Sequence, residues 1–180
     1  DDIAEAVQRI YAVDKPFLII GDGPAWAGAG KDLEELINLA KIPFTTRRLG
    51  RAVVSERHPY CTRGLPPFRK EIELMIPVGV KVGFFDGFGL GWPETIQIAE
   101  SENHIWTYLP TSVAVLGSPQ AIARQMIDYI KAHNLTPPPG RDAWLKRIQE
   151  AAEDGRRRRQ EKALRYKDHP RYKENNIIHW

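Results

Sequence analysis

The most suggestive chemical motif in the chain is the Gly-Asp-Gly turn at residues 21–23, which directly follows the apolar run Phe-Leu-Ile-Ile at 17–20. Such a run is typical of a buried parallel strand, and the turn after it could present an acid to a metal. A magnesium and diphosphate motif of this kind needs an Asn about 25–30 residues later, so that oxygen ligands from both ends converge on one ion. Residues 47–51 offer arginines and a glycine instead, and the nearest Asn is Asn38. The spacing therefore predicts no metal site.

A dinucleotide-binding turn is the alternative, because a strand followed by Gly-x-Gly is how that fingerprint begins. Its third glycine would fall at position 26, which is Trp26, and Thr45 and Thr46 replace the acid expected after the next strand. The pattern disfavours an ordinary NAD site. The simplest interpretation is a tight strand-to-helix turn that needs two glycines for its backbone geometry.

Further candidates lie where other predicted strands end. Asp86 follows a strand predicted over 78–85, and ligands of α/β folds bind at this end of the strands. Trp92 and Trp106 could stack on a ring, although packing in a core or a domain interface is commoner. The residues that could line a nucleotide crevice are therefore Gly21, Asp22, Gly23, Thr46, Asp86 and Gly87.

No residue is predicted to be catalytic. The single cysteine, Cys61, lacks any catalytic signature around it, and none of the histidines has a partner at metal-ligand spacing or lies beside a nucleophile; they are His58, His104, His133, His169 and His179. Surface or packing roles are the expected ones.

The elements that would position these residues alternate between strand and helix from 3 to 133. Helical spacing of apolar residues covers 3–10, 33–40 and 68–76, and a further helix begins at Pro119 with Ser118 as its N-cap. Strands are predicted over 17–20, 42–46, 78–85, 105–109 and 113–116. This order predicts an α/β fold: a Rossmann-like, doubly wound, mainly parallel sheet flanked by helices.

The chain changes character at the three prolines 137–139, which cannot continue a helix. A long polar linker helix is predicted from Asp142 to about Lys167, with Trp144, Leu145 and Ile148 as its apolar anchors. We expect a central domain over 1–135, and over 136–180 a proline-rich break, the linker helix and the start of a missing domain. The apolar end at 177–180 suggests truncation, since such groups usually pack on something.

Composition narrows the functional class. The 180 residues include a single cysteine, which fits a reducing cytoplasm. The formal net charge is +3. No apolar run has the length of a membrane span, and the acidic start is unlike a signal peptide. The four arginines 156–159 are interleaved with acids, so a solvated helix face is favoured over a nucleic-acid or anionic-membrane site.

Several segments, taken in order, carry a family resemblance. They are Lys-Pro-Phe-Leu-Ile-Ile-Gly-Asp-Gly at 15–23, Ile-Pro-Phe-Thr-Thr at 42–46, Leu-Gly-Arg-Ala at 49–52 with Glu-Arg-His-Pro at 56–59, and Val-Leu-Gly-Ser at 115–118. Their order resembles the central domain of the thiamine diphosphate-dependent acetolactate synthase, oxalyl-CoA decarboxylase, 2-hydroxyacyl-CoA lyase and benzaldehyde lyase family. The resemblance covers about 1–133, and residues 141–180 are similar to the linker that leads into the diphosphate-binding domain.

The resemblance implies a non-catalytic domain, inactive alone, between pyrimidine-binding and diphosphate-binding domains of the same chain or of separate subunits. The parent enzyme would be a homodimeric or homotetrameric lyase, decarboxylase or carboligase (formally a lyase or transferase) acting on 2-keto or 2-hydroxyacyl substrates. Thiamine diphosphate and Mg²⁺ would belong to that parent enzyme only, so this chain would require no cofactor.

Some relatives bind ADP or FAD in this domain, but the chain departs from their pattern. Their Asp-Ile-Asp-Pro is replaced by residues 107–110 (Thr-Tyr-Leu-Pro), and their Gly-Ala-Arg by residues 86–88 (Asp-Gly-Phe). Asp22 also places negative charge where a diphosphate would lie. ADP and FAD are therefore disfavoured. A stand-alone nucleotide- or acyl-CoA-binding Rossmann-like module, a nucleic-acid binder and a natural split enzyme remain the alternatives.

Overall fold

A computed structural model of the chain describes residues 2–165, apart from the side chain of Phe85. The strands are β1 (Pro16–Ile20), β2 (Phe44–Thr46), β3 (Cys61–Thr62), β4 (Leu74–Val78), β5 (Glu94–Ala99) and β6 (Thr111–Leu116). The helices are α1 (Asp2–Ala12), α2 (Gly23–Trp26), α3 (Gly30–Ala40), α4 (Pro119–Ala132) and α5 (Gly140–Arg165). The strands form one sheet in the order β3-β2-β1-β4-β5-β6, and every pair is parallel. The predicted Rossmann-like fold, with its C-terminal helix, is confirmed.

The sheet is buried on both faces, which is why its strands read as continuous apolar runs. Leu18 and Ile20 of β1 point into the core formed with α1, α3 and α4. Phe17 and Ile19 point to the other face, where Trp144 and Ile148 of α5 join the irregular segments that cover it. Side chains alternate along a strand, so β1 supplies both cores.

The start of α5 is fixed to the domain by two buried side chains. The guanidinium of Arg141, which is 0% exposed, donates hydrogen bonds of 2.6 Å to the carbonyl oxygens of Ala40, Ile10 and Val13. Those carbonyls end α3 and α1, where the helix dipole is negative. Trp144 donates its indole N–H to the carbonyl of Pro16 at 3.1 Å. The first turns of α5 are therefore part of the packed structure.

The helix predicted over 68–76 is wrong. The structure has a short 3-10 helix at Arg69–Glu71, and the apolar residues that follow are the fully buried strand β4, between β1 and β5. A short apolar run of this kind has no periodicity that separates a buried strand from a helix. Pro77 inside the strand, which normally argues against a central position, deepened the ambiguity.

Two predicted strands are also wrong in position. Gly79 takes a left-handed conformation at φ 57° and ends β4, so residues 80–83 are irregular and the rest of the predicted strand 78–85 enters a 3-10 helix at Phe84–Gly89. Residues 105–109 are irregular as well. The strand in that region is β5, which the sequence hid because Thr95 and Gln97 are polar but buried. The two-residue edge strand β3 was not predicted.

The predicted C-terminal helix is confirmed: α5 runs from Gly140 to Arg165, with Trp144, Leu145 and Ile148 buried. The apolar end at 177–180 and the two last histidines, His169 and His179, lie outside the described residues. Within residues 2–165, every helix is too short or too polar to cross a membrane.

Candidate functional site

The strand order places the candidate site at the carboxyl ends of β1, β2 and β4. The chain winds outward from β1 in one direction to β3 and in the other from β4 to β6, so the loops diverge there and leave a crevice. A cleft of about 470 Å³, here called the first or switch-point cleft because the strand order reverses there, lies at this point. Its charged lining comprises the cations Arg47, Arg48, Arg51, Arg63 and Lys81 and the acids Asp22, Glu56 and Asp86.

The glycines at this edge serve close backbone packing. A Cβ on Gly21 would collide with the carbonyl oxygen of Gly79, and one on Gly50 with the carbonyls of Ile20 and Gly21. The backbone N–H of Gly23 donates a hydrogen bond to the carbonyl oxygen of Gly79 at 3.3 Å. The interpretation of residues 21–23 as a tight turn fits this geometry, in which loops after β1, β2 and β4 touch through their backbones.

Asp22 is engaged by the protein itself. Its Oδ1 accepts the backbone N–H of Leu49 at 3.1 Å, and its Oδ2 lies 4.0 Å from a guanidinium nitrogen of Arg48. The side chain therefore holds the turn after β1 against the 3-10 helix Arg48–Ala52 that follows β2.

Thr46, at the end of β2, donates its hydroxyl to Glu56 at 2.9 Å. Arg51 donates to both carboxylate oxygens of Glu56, at 2.8 and 3.0 Å. This forked contact, followed by the Thr46 hydroxyl, lowers the pKa of Glu56 even though partial burial opposes the shift. Glu56 is consequently a fixed anion on the wall of the cleft at neutral pH.

Asp86 lies in the 3-10 helix Phe84–Gly89, not directly after a strand as predicted. Its Oδ1 is 3.2 Å from a guanidinium nitrogen of Arg47, and the Asp86 side chain is only 9% exposed. The pair lacks hydrogen-bond geometry, since neither Oδ1 of Asp86 nor Nε of Arg47 has a hydrogen-bond partner. The attraction between these opposite charges links two loops that line the cleft.

Four of the six predicted crevice residues meet in this cleft: Gly21, Asp22, Thr46 and Asp86. Gly23 lines a neighbouring hollow with Trp26 and Trp106, and Gly87, left-handed at φ 59°, has open space beside it. Sequence reasoning missed the arginines of the loop after β2 and Lys81. The sequence does contain an indication of a basic cleft wall, since three of residues 47–51 are arginines. In the sequence analysis these arginines argue only against a metal site.

The segment 105–109 crosses the end of β5 and is held there by Gln97. The Gln97 amide donates to the carbonyl of Trp106 at 2.9 Å and accepts the Trp106 N–H at 2.9 Å. This is the region where nucleotide-binding relatives were expected to place two acids. Here its Trp106 packs against the second core instead, together with Trp92.

His58 and Cys61 have structural surroundings. His58 accepts the N–H of Tyr60 at its Nδ1 and contacts the side-chain oxygen of Asn38 through Nε2, both at 3.1 Å. Burial lowers the pKa of His58, so the neutral ring is favoured. Burial is also the main cause that raises the pKa of Cys61 to about 11, which leaves an unreactive thiol. Between residues 2 and 165, no three His, Cys, Asp or Glu side chains form a metal site.

Comparison with known proteins identifies the family. Residues 3–126 match the family described as "Thiamine pyrophosphate enzyme, central domain". The chain belongs to this family. The match spans β1 to β6 and most of α4, and so includes the whole sheet and the cleft.

The curated relatives of this central domain are longer proteins. Human 2-hydroxyacyl-CoA lyase 1 is 25% identical over 154 residues, covering 82% of this chain and 26% of the lyase. Oxalyl-CoA decarboxylase of Escherichia coli K12 is 23% identical over 141 residues, covering 76% of this chain and 25% of the decarboxylase. The chain thus spans about a quarter of the length of these relatives.

A solved structure shares the fold. A chain from the X-ray structure assigned as a thiamin diphosphate-dependent enzyme from Mycobacterium smegmatis superposes with a TM-score of 0.61 at 20% identity. The superposition covers 76% of the present chain and 28% of that one. At this identity the likeness concerns the fold alone.

The residues of the turn 21–23 do not fit the Mg²⁺ of a thiamine diphosphate site. The carboxylate of Asp22 is committed to Leu49 and lies beside Arg48, and a cation would be repelled there. The side-chain oxygen of Asn38 is bonded to His58. In the part of the chain that the structure describes, no group of three His, Cys, Asp or Glu side chains at the turn could hold a metal, so no chemistry of the cofactor is assigned to this domain.

Proposed function

We propose that this chain is the non-catalytic central domain of a thiamine diphosphate-dependent lyase, decarboxylase or carboligase that acts on 2-keto or 2-hydroxyacyl substrates. It would lie between the pyrimidine-binding and diphosphate-binding domains of a cytoplasmic homodimer or homotetramer and contribute structure, not reacting groups. The family match supports the position, and relatives named as a lyase and a decarboxylase support the class of the parent.

The observation that carries the structural role is the pairing of charges in the cleft. Each acid that lines it faces an arginine from the loop after β2: Asp22 faces Arg48, Asp86 faces Arg47 and Glu56 faces Arg51. Guanidinium groups are well suited to phosphate oxygens, but these three are already matched by carboxylates of the same domain. A nucleotide diphosphate would have to displace these internal ion pairs and approach the three carboxylates that form them, since Arg63 and Lys81 are the only other cations of the described lining.

The long helix supports a spacer role for residues 136–180. Its first turns are anchored through Arg141 and Trp144, whereas its last buried residue is Ile148 and the turns up to Arg165 are rich in charge. We propose that a rigid start and a solvated continuation set the direction in which the chain leaves the domain of residues 1–135.

A thermal-shift series tests the structural role against the alternative of a nucleotide- or acyl-CoA-binding module. The ligands are ADP, FAD, NAD and CoA, and inorganic pyrophosphate is the control that carries phosphate charge without adenosine. We expect none of the four to raise the melting temperature more than pyrophosphate does, because the adenosine-holding groups are missing from this domain. A ligand that binds only the folded state stabilises it, so an ADP- or FAD-specific increase would contradict the proposal.

A further inference from the structure

A second cleft, of about 330 Å³, lies between the β3 edge and α5. Its wall on the sheet side includes residues 61–67, and it shares Glu56, Thr62, Arg63 and Gly64 with the first cleft. Its wall on the helix side includes the small residues Ala151, Ala152 and Gly155. Because these three residues have small side chains or none, they leave room for a ligand between the helix and the edge strand.

The helix turns Arg159 toward this cleft. Residues 148, 152, 155 and 159 fall on one stripe of an α-helix, and Ile148 on that stripe is fully buried against the domain. The Arg159 side chain lies back along the helix beside Gly155, where a Cβ would be 3.4 Å from Nη1 of Arg159. Glycine inside a helix costs about 1 kcal/mol relative to alanine, so Gly155 lowers the stability of α5.

Among the described residues, two arginines that line this cleft, Arg63 and Arg159, lack the ion pairs that Arg47, Arg48 and Arg51 form in the first cleft. Within residues 2–165, Arg63 and Arg159 form no hydrogen bond or ion pair, and Arg156 has only a 4.0 Å contact with Glu153. The two acids in the lining are paired with other arginines: Glu56 with Arg51 at 2.8 Å, and Asp154 with Arg158, which also lines this cleft, at 2.8 Å. Arg63 and Arg159 therefore have no hydrogen-bonded or ion-paired acid of their own among the described residues, and they share the cleft with Arg156.

The electrostatic consequence is visible at Arg159. Partial burial, the positive charge of Arg63 and the positive charge of Arg156, in that order, lower its pKa. The like charges are thus close enough to repel one another, although salt weakens this repulsion at an exposed site. An anion bound between them would relieve it.

We propose that Arg63, Arg156 and Arg159 form a binding site for a phosphate-bearing small molecule. Planar guanidinium groups donate paired hydrogen bonds to phosphate oxygens, and three of them suit a ligand with two or more negative charges. The site is distinct from the switch-point cleft, although Arg63 lines both. Arg156 and Arg159 line the second cleft and not the first, whereas Arg48 lines the first and not the second.

Calorimetric titration of the full chain with inorganic pyrophosphate at constant ionic strength tests the site. We expect Arg159→Gln and Arg63→Gln each to raise the Kd about tenfold or more, the size of one lost charge-assisted hydrogen bond. The control is Arg157→Gln, since Arg157 lies on the opposite side of the same helix and is paired with Asp154 and Glu161. It should leave the Kd within about twofold of the wild type.

Arg48→Gln distinguishes the two clefts, and it should also leave the Kd nearly unchanged. Loss of binding in Arg48→Gln with retention in Arg159→Gln would overturn the proposal and place the anion in the switch-point cleft. Equal weakening in all four variants, Arg157→Gln included, would show a nonspecific charge effect and overturn it as well. So would the absence of pyrophosphate binding to the wild-type chain.

Discussion

Replacing Arg141 with alanine should lower the free energy of unfolding by about 3 kcal/mol, because buried carbonyls left without donors are costly. The guanidinium bonds Ala40, Ile10 and Val13 at once and so joins the ends of two helices to the start of α5. Burial lowers the pKa of Arg141 to about 10, which still leaves the group charged at neutral pH. A chain of this length should lose about 10 °C in Tm.

Thermal and denaturant unfolding of Arg141→Ala, followed by circular dichroism, measure this loss. Arg157→Ala is the matched control, because it removes an arginine from an exposed turn of the same helix; its Tm should stay within about 1–2 °C of the wild type. Arg141→Lys should recover only part of the loss, as an ammonium cannot span three carbonyls set for a guanidinium. An Arg141→Ala variant as stable as the control would contradict the anchoring of α5.

Replacing Gly21 with alanine should destabilise the chain by about 1–3 kcal/mol, the usual cost of overpacking. The new methyl group would occupy the position of the Gly79 carbonyl, and both partners in the collision are backbone, so a rotamer change offers no relief. The loops after β1 and β4 would have to separate. The same collision identifies Gly21 as a packing residue, whereas a phosphate-approach role would make the cost appear only with ligand bound.

Gly83→Ala is the control for Gly21→Ala. Gly83 is also a glycine of the loop after β4, but its backbone is extended at φ −161°. No other part of the described structure lies within 4 Å of the position that a Cβ would take there. Its replacement should be neutral within about 0.5 kcal/mol. Chemical denaturation of both variants gives the comparison. Equal stability of the two variants would show that the close approach of residues 21 and 79 is not needed for the fold.

Much of the fold was readable because its first half is locally consistent. The apolar run of β1, the glycine turn and the amphipathic α3 each have the period of the element they form. α4 was equally clear, since Pro119 occupies the first helical position after Ser118. The alternation of these pieces was enough for the α/β class.

The second half misled the sequence analysis for a physical reason. β5 buries Thr95 and Gln97, so its pattern looked like a loop. Hydrogen bonds satisfy both side chains in the interior: Thr95 donates to the carbonyl of Pro93, and Gln97 bonds Trp106 and Thr111. Such long-range satisfaction has no local signature. Asp86 was misplaced for a different reason: the strand predicted over 78–85 ends at Val78, so Asp86 does not directly follow a strand.

The site was predictable only in outline. The switch point follows from strand order, and four of the six expected residues lie there. The partners of those residues were not readable, because Asp22 reaches Leu49 across 27 positions and Arg47 meets Asp86 from another loop. Arg141 was missed altogether. A single arginine after a proline break normally indicates a solvated surface position.

The most direct test of the central claim is calorimetric titration of the full 180-residue chain with thiamine diphosphate in the presence of Mg²⁺. Titrations with pyrophosphate and with thiamine, under the same conditions, separate the contribution of phosphate charge from that of the cofactor's rings. We expect no binding of thiamine, and we expect the affinity for thiamine diphosphate to be no greater than the affinity for pyrophosphate. A micromolar affinity for thiamine diphosphate that pyrophosphate fails to reproduce would contradict the assignment of this chain as a non-catalytic domain.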